Sequence, residues 1–309
     1  MAASQSDTVA VFTKNRLNPA YHGARLGAER TAARFGLRVE HYVPELADNL
    51  DQQVALVERA LVSRPAAFVF VPVHATALDP WVRRIGEAGI PLFNLINRLT
   101  HPQDYVTFVG SDDRALSGRV ARRLLDELGG RGNVVVLEGP STTVTSRDRV
   151  GGFVEAIGGF PGVRLAGSRA GAFLRAEGRQ AMRELLADVT VIDGVMAAND
   201  DMALGAIEAL EAAGRRCPVI GVNAVPEAVA AIGRGSMLAS ASFDAFSIAC
   251  IATEAAARHL RGEPVPKEIL LPVHVVDRTN CERWNVPLEG RAAPQWEECV
   301  GRQPPGAQR

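Results

Sequence analysis

From Thr8 to about Asp277 the chain alternates short β-branched runs with longer stretches in which apolar residues recur at helical spacing among Ala, Arg and Glu. The runs predict strands at Val9–Phe12, Arg38–Val43, Ala67–Val71, Pro91–Ile96 and Val106–Val109. A second set is predicted at Asn133–Leu137, Arg164–Ser168, Gly194–Ala197, Val219–Val222, Leu238–Ser242 and Ile269–Val276. Between them the spacing predicts helices at Tyr21–Phe35, Leu50–Ser63, Leu78–Ala88, Arg114–Leu128, Val150–Ile157, Arg175–Ala187, Asp201–Ala213 and Phe246–Arg261. Strands alternating with helices of this length make parallel sheets flanked by helices. Most of the strands are apolar at every position, as expected when both faces are covered. The fold class is therefore α/β, as two doubly wound blocks, the first ending near Gly110-Ser111-Asp112-Asp113. After about Pro287 the pattern stops, and Pro304-Pro305-Gly306 reads as a frayed end.

Composition narrows the functional classes. A chain of 309 residues is long for one core and comfortable for two. Lys and Arg total 34 against 35 acidic residues, a balance without the basic face that duplex DNA or an anionic membrane calls for. No apolar run is long enough to span a bilayer. The start, Met1-Ala-Ala-Ser-Gln-Ser-Asp, is no signal segment, which leaves a cytosolic protein or one whose signal has been removed. The cysteines at 217, 250, 281 and 299 include no close pair and the six histidines are scattered, so no metal and no cofactor is expected. A Cys281–Cys299 disulfide stays open.

In open α/β sheets ligands bind beyond the carboxyl ends of the strands. The residues there are Asn18, Ala20 and Tyr21, then His74, Asn97 with Arg98, and Ser111 with Asp112. The second block adds Ser141–Arg149, Phe173, Asn199–Asp201, Asn223, and Phe243 with Asp244. Amides, arginines and aromatics are the inventory for bonding a polyhydroxylated ligand. No nucleophile elbow, phosphate loop or dinucleotide fingerprint occurs, so no enzyme chemistry is expected. Singly, each residue has a plainer reading. Asn18-Pro19 opens turns, Asn199 and Asn223 suit helix N-caps, Arg147 suits a solvated surface, and Tyr21 and Phe173 suit a core. Their recurrence at equivalent positions in two similar blocks favours a site.

The order of these pieces resembles the periplasmic sugar-binding proteins of the ribose-binding type. The resemblance is carried by Asn18-Pro19-Ala20-Tyr21 with Gly27, Ile90-Pro91 leading to Asn97-Arg98, and Gly110-Ser111-Asp112-Asp113. It continues through Ser146-Arg147-Asp148-Arg149 with Gly152-Phe153, Phe173 before Arg175-Ala176-Glu177-Gly178, and Gly221-Val222-Asn223. The most specific segment is Asn199-Asp200-Asp201-Met202-Ala203-Leu204-Gly205, and the match spans about residues 8 to 280. It implies two Rossmann-like lobes joined by three hinge crossings, 8–111 with 243–272 and 112–242 with 273–286, leaving 287–309 as a tail. It implies ligand contacts at Tyr21, Asn97, Arg98, Arg147, Phe173, Asn199, Asn223 and Asp244, beside the post-strand amide of Asn18. The function implied is extracytoplasmic capture of a neutral sugar or small polyol by hinge closure, for delivery to the membrane permease of an ABC importer. A monomer that binds no nucleic acid is expected. The same fold serves as the effector-binding core of lactose-repressor-type regulators, but only eight residues precede Val9, too few for a helix-turn-helix. Departures redistribute the polar groups: Ala20 removes one stacking wall, Asn97 stands where an acid is common, and Asn94 competes for that role. Asn223 stands where Asp is frequent, and Asp244 where an amide is frequent, so ribose itself does not follow.

Overall fold

Two separate, mostly parallel sheets organise the protein, whose residues 7–300 are described by a computed structural model. The chain forms two compact units. Unit 1 begins with β1 (Thr8–Phe12), α1 (Pro19–Arg34), β2 (Arg38–Tyr42), α2 (Leu50–Ser63), β3 (Ala67–Phe70), α3 (Asp79–Glu87), β4 (Leu92–Leu95) and β5 (Thr107–Gly110). After Ser111 the chain builds unit 2, with α4 (Asp113–Glu127), β6 (Arg131–Glu138), α5 (Val144–Gly158), β7 (Gly162–Ala170) and α6 (Arg175–Asp188). There follow β8 (Gly194–Ala197), α7 (Asp200–Ala212), β9 (Val219–Val222), α8 (Pro226–Arg234) and β10 (Ala239–Ala241). Residues Ala245–Pro272 return to unit 1 as α9 (Ala245–Leu260) and β11 (Glu268–Leu270). Then β12 (Val275–Asp277) completes the second sheet, and the segment from Arg291, with α10 (Trp296–Val300), belongs to unit 1.

The strand orders repeat. Sheet 1 runs β11-β5-β4-β3-β1-β2 with every pairing parallel, and sheet 2 runs β12-β10-β9-β8-β6-β7, parallel except for β12. The direction of winding reverses beside β1 in one sheet and beside β6 in the other, and such switch points open the crevice in which doubly wound sheets take ligands. The inner strands are buried at every position, as their unbroken apolar runs require. In unit 1 Phe12 stacks on Tyr42 at 4.8 Å and on Phe68 at 5.3 Å, locking β1 between β2 and β3.

Helices meet without a cushion of side chains at three glycines. A Cβ on Gly27 of α1 would lie 2.4 Å from the Phe246 carbonyl oxygen of α9. On Gly152 of α5 it would lie 2.2 Å from that of Arg114 in α4, and on Gly205 of α7 2.2 Å from that of Arg175 in α6. Each glycine lets two helix backbones touch.

Three expectations need correction. The run Ile269–Val276 is two strands in different sheets, because Pro272 has no N–H to continue a ladder. The helix α8 was not anticipated, although Pro226 in its first turn and Gly235 at its end (φ 79°) are ordinary start and stop signals. The region after Pro287 contains α10, whose Trp296 is buried and stacks under Arg258, with the guanidinium carbon 4.8 Å from the ring centre. Pro304-Pro305-Gly306 lies outside the described residues. All four cysteines are free, so the disulfide left open for Cys281 and Cys299 is not made.

Candidate functional site

In unit 1 the loop after β1 is held from below by a buried lysine. Lys14 is fully enclosed, and its ammonium lies 3.2 Å from Asp48 Oδ2. Burial pulls its pKa down, and the carboxylate of Asp48 pulls it back. Asp48 Oδ1 also accepts from Asn15 Nδ2 at 2.9 Å, and Asn15 Oδ1 in turn accepts from the backbone N–H groups of Leu17 and Asn18. Asn18 then caps α1, accepting from Ala20 N at 3.0 Å, and one turn on Tyr21 is buried. The sequence reads Asn18-Pro19 as a turn opener; the Oδ1 of Asn18 is spent on capping α1.

The loop after β4 carries Asn97 and Arg98. Asn94 is a brace for it: its Nδ2 donates to the carbonyls of Phe70 and Asn97, and its Oδ1 accepts from Leu99 N. Ile96 sits at φ 63°, a left-handed conformation costly for a β-branched residue, and presents the buried Asn97. Arg98 is half-buried, hydrogen-bonded to Glu268 of β11 and stacked over Phe108 with its guanidinium 3.8 Å from the ring centre. His74 accepts from Thr76 N and Ala77 N through Nδ1, folding its own turn.

In unit 2 the most connected side chain belongs to Arg149, which the sequence places in a post-strand stretch without a ligand contact of its own. Arg149 of α5 is 2% exposed; its Nε donates to Asp113 Oδ1 at 2.7 Å, and its Nη1 to the Ala198 carbonyl at 2.7 Å and Asn223 Oδ1 at 3.3 Å. Its guanidinium carbon also lies 4.7 Å from the ring centre of Phe243 and 5.8 Å from that of Phe173. One side chain of α5 thus ties together the loops after β7, β8, β9 and β10 and the start of α4. Arg147, the arginine singled out from the sequence, is exposed. The signal was available: Thr145, Arg149, Gly152, Phe153 and Ala156 form the buried stripe of α5, and Arg147 falls off it.

Phe173 is buried at φ 62°, next to Ala172 at φ 53°, with its ring over Gly139, where a Cβ would lie 2.2 Å away. Asn199 fixes that loop by donating from Nδ2 to the Phe173 carbonyl at 2.9 Å, while its Oδ1 caps α7 at Met202 N. Asn223 and Ala224 also have positive φ, 127° and 50°. Asp244, half-buried, follows β10. Among the described residues, five of the seven non-glycine residues with positive φ stand in these post-strand loops: Ile96, Ala172, Phe173, Asn223 and Ala224. Backbone conformations of this kind persist only where the surrounding packing over-determines them.

Three buried carboxyls support unit 2. Burial pushes Asp200 up to about 7, although Ser240 Oγ and Val225 N donate to it; burial likewise raises Asp113 and Asp201 to about 6 against Arg149 and Arg175. The folded protein thus holds protons that the unfolded chain releases above pH 4. Stability contributed by these groups falls as pH rises from about 4 to 7. His41, lowered by burial, acts oppositely below pH 6.5. The difference between parent and Asp200→Asn isolates the carboxyl. In urea titrations the parent should lose at least about 1 kcal/mol more than Asp200→Asn between pH 5 and pH 8, since each tenfold change in proton affinity is about 1.4 kcal/mol. Parallel curves would show that Asp200 is ionised throughout.

Among the described residues no cluster suits a metal ion, and no helix is long and apolar enough to cross a membrane. Residues 9–264 match the family model described as periplasmic binding protein domain. The chain belongs to the periplasmic binding protein family. Within it, the chain is 28% identical over 265 residues to the ribose import binding protein RbsB of Escherichia coli, covering 85% of this chain and 88% of that one. It is 27% identical to a xylitol-binding protein of Mycolicibacterium smegmatis, covering 78% and 69%. The ABC transporter periplasmic solute binding protein of Actinobacillus succinogenes, solved with bound D-allose, superposes with a TM-score of 0.85 at 26% identity, covering 89% and 99%. Members of this kind are built from two α/β lobes, as the two sheets here are.

Proposed function

We propose that this protein is an extracytoplasmic solute-binding protein that captures a neutral sugar or small polyol, without chemical change, for an ABC importer. The observation that carries the neutral ligand is charge pairing: three buried or half-buried cations at the carboxyl ends of the strands each have a carboxylate in their own unit. Lys14 has Asp48, Arg98 has Glu268 and Arg149 has Asp113. A phosphate or carboxylate ligand would need a cation left uncompensated there, whereas hydroxyls need only fixed donors and acceptors. Asn97, Asn199, Asn223 and Asp244 supply these, and Tyr21 and Phe173 offer faces for the C–H side of a sugar ring. Relatives that bind ribose, xylitol and allose support the class. Hinge closure around the ligand, action as a monomer, and delivery to a permease belong to the same proposal.

The test is a thermal-shift screen of pentoses, hexoses and polyols against sugar phosphates, amino acids and nucleotides. At a hundredfold excess over Kd a ligand that binds only the native state stabilises it by about 2.7 kcal/mol. A neutral sugar or polyol should raise the midpoint, with Kd about micromolar or tighter. Stabilisation by the charged compounds alone would overturn the reading.

A further inference from the structure

Unit 2 has a cavity at the opposite end of its sheet from the post-strand loops. It occupies about 740 Å³ at the N-terminal ends of β9 and β10, between the C-terminal halves of α4, α7 and α8 and the turn after β12. Its floor is apolar and well packed, formed by Leu210, Ile232 and Met237. Its rim holds five arginines against three carboxylates, Glu127, Glu211 and Asp277. Two arginines are spoken for: Arg123 bonds Glu127 and Asp277, and Arg215 donates to the Thr190 carbonyl. Arg216, Arg234 and Arg278 are exposed, and among the described residues none pairs with them.

Helix capping does not account for these three. The carbonyls of Leu210 and Glu211 at the end of α7 are taken by the N–H groups of Ala213, Arg215 and Gly214. Those of Ala231 and Ile232 at the end of α8 are taken by Ser236, Met237 and Gly235. A favourable dipole at the end of α8 explains Arg234 alone. Arg278 lies in the turn after β12, its Nη1 3.9 Å from where a Cβ on Gly235 would stand, so its guanidinium lies beside the end of α8.

We infer that this cavity is a binding site for a small organic anion with an apolar body, the body on the Met237 floor and the anionic head between Arg216 and Arg278. The guanidinium forks match a carboxylate or sulfonate, which a lysine rim would not orient. Such a site is separate from the sugar loops, and its occupation does not depend on what they bind.

The probe is 8-anilinonaphthalene-1-sulfonate, with N-phenyl-1-naphthylamine as its uncharged counterpart. The sulfonate should bind the folded protein saturably at one site, with Kd rising as salt is added and rising at least tenfold in Arg216→Gln/Arg278→Gln. Both side chains are exposed and unpaired, so the double variant should melt with the parent; if it does not, the single variants give the same comparison. A saturating neutral sugar found by the screen should not displace the probe. Absence of saturable binding, an unchanged Kd in the variants, equal affinity for the uncharged amine, or displacement by the sugar would each overturn the assignment.

Discussion

Arg149→Met should lower the unfolding free energy by about 3–5 kcal/mol, the cost of leaving a buried carboxylate without its partner. Asp113 loses its ion pair, and the Ala198 carbonyl and Asn223 Oδ1 lose a donor. Because the same guanidinium joins four loops and the start of α4, ligand affinity should fall with stability. Arg147→Met, on the exposed side of the same helix, should change stability by less than about 0.5 kcal/mol. Adding Asp113→Leu to Arg149→Met should recover part of the loss, since replacing both members of a buried pair by apolar groups is far milder than removing one. Urea denaturation of the four proteins reads this directly. Equal losses at Arg147 and Arg149 would mean that the buried pair contributes nothing particular.

The second large effect is expected from a single methyl group. Gly205→Ala should destabilise by about 3 kcal/mol, at the upper end of the range for overpacking. Its Cβ would fall 2.2 Å from the Arg175 carbonyl oxygen and 2.8 Å from the Arg179 amide nitrogen. Both are backbone atoms, which cannot swing aside, so α6 and α7 must separate. Gly86→Ala is the control: an added Cβ there meets nothing, and alanine favours a helix. It should be neutral or slightly stabilising. If chemical denaturation shows the two substitutions equal, the close approach of α6 and α7 is wrong.

The strands and long helices were legible because burial on both faces writes an unbroken apolar run, and helical spacing writes a stripe. Part of what escaped was set by contacts distant in sequence. Ile269–Val276 looks like one strand until Leu270 pairs beside β5 and Val275 beside β10. Asn18, Asn97, Asn199 and Asn223 were found by their positions after strands, but position does not say what an amide does. Asn199 turns out to cap a helix and hold the Phe173 loop, both with side-chain atoms. Arg147 and Arg149 differ by two residues and by half a turn of helix, and only the stripe shared with Gly152 and Phe153 separates them. The pairing of each loop cation with an acid could not be read at all, since Asp113 and Glu268 lie 36 and 170 residues from their partners.

The interrupted chain path of unit 1 also sets an order of assembly. Its sheet ends at β5 until β11 arrives more than 150 residues later, and α1 lacks its glycine-seated partner until α9 has been made. A growing chain that has reached residue 244 therefore carries an open strand edge and a bare helix face in its older half. The younger half already holds five parallel strands in one continuous stretch. Domains with local connections form sooner, because less loop entropy must be lost before contacts are gained. The part of the protein synthesised first is thus the part that finishes folding late, and during synthesis β5 is the edge most in need of protection from intermolecular pairing.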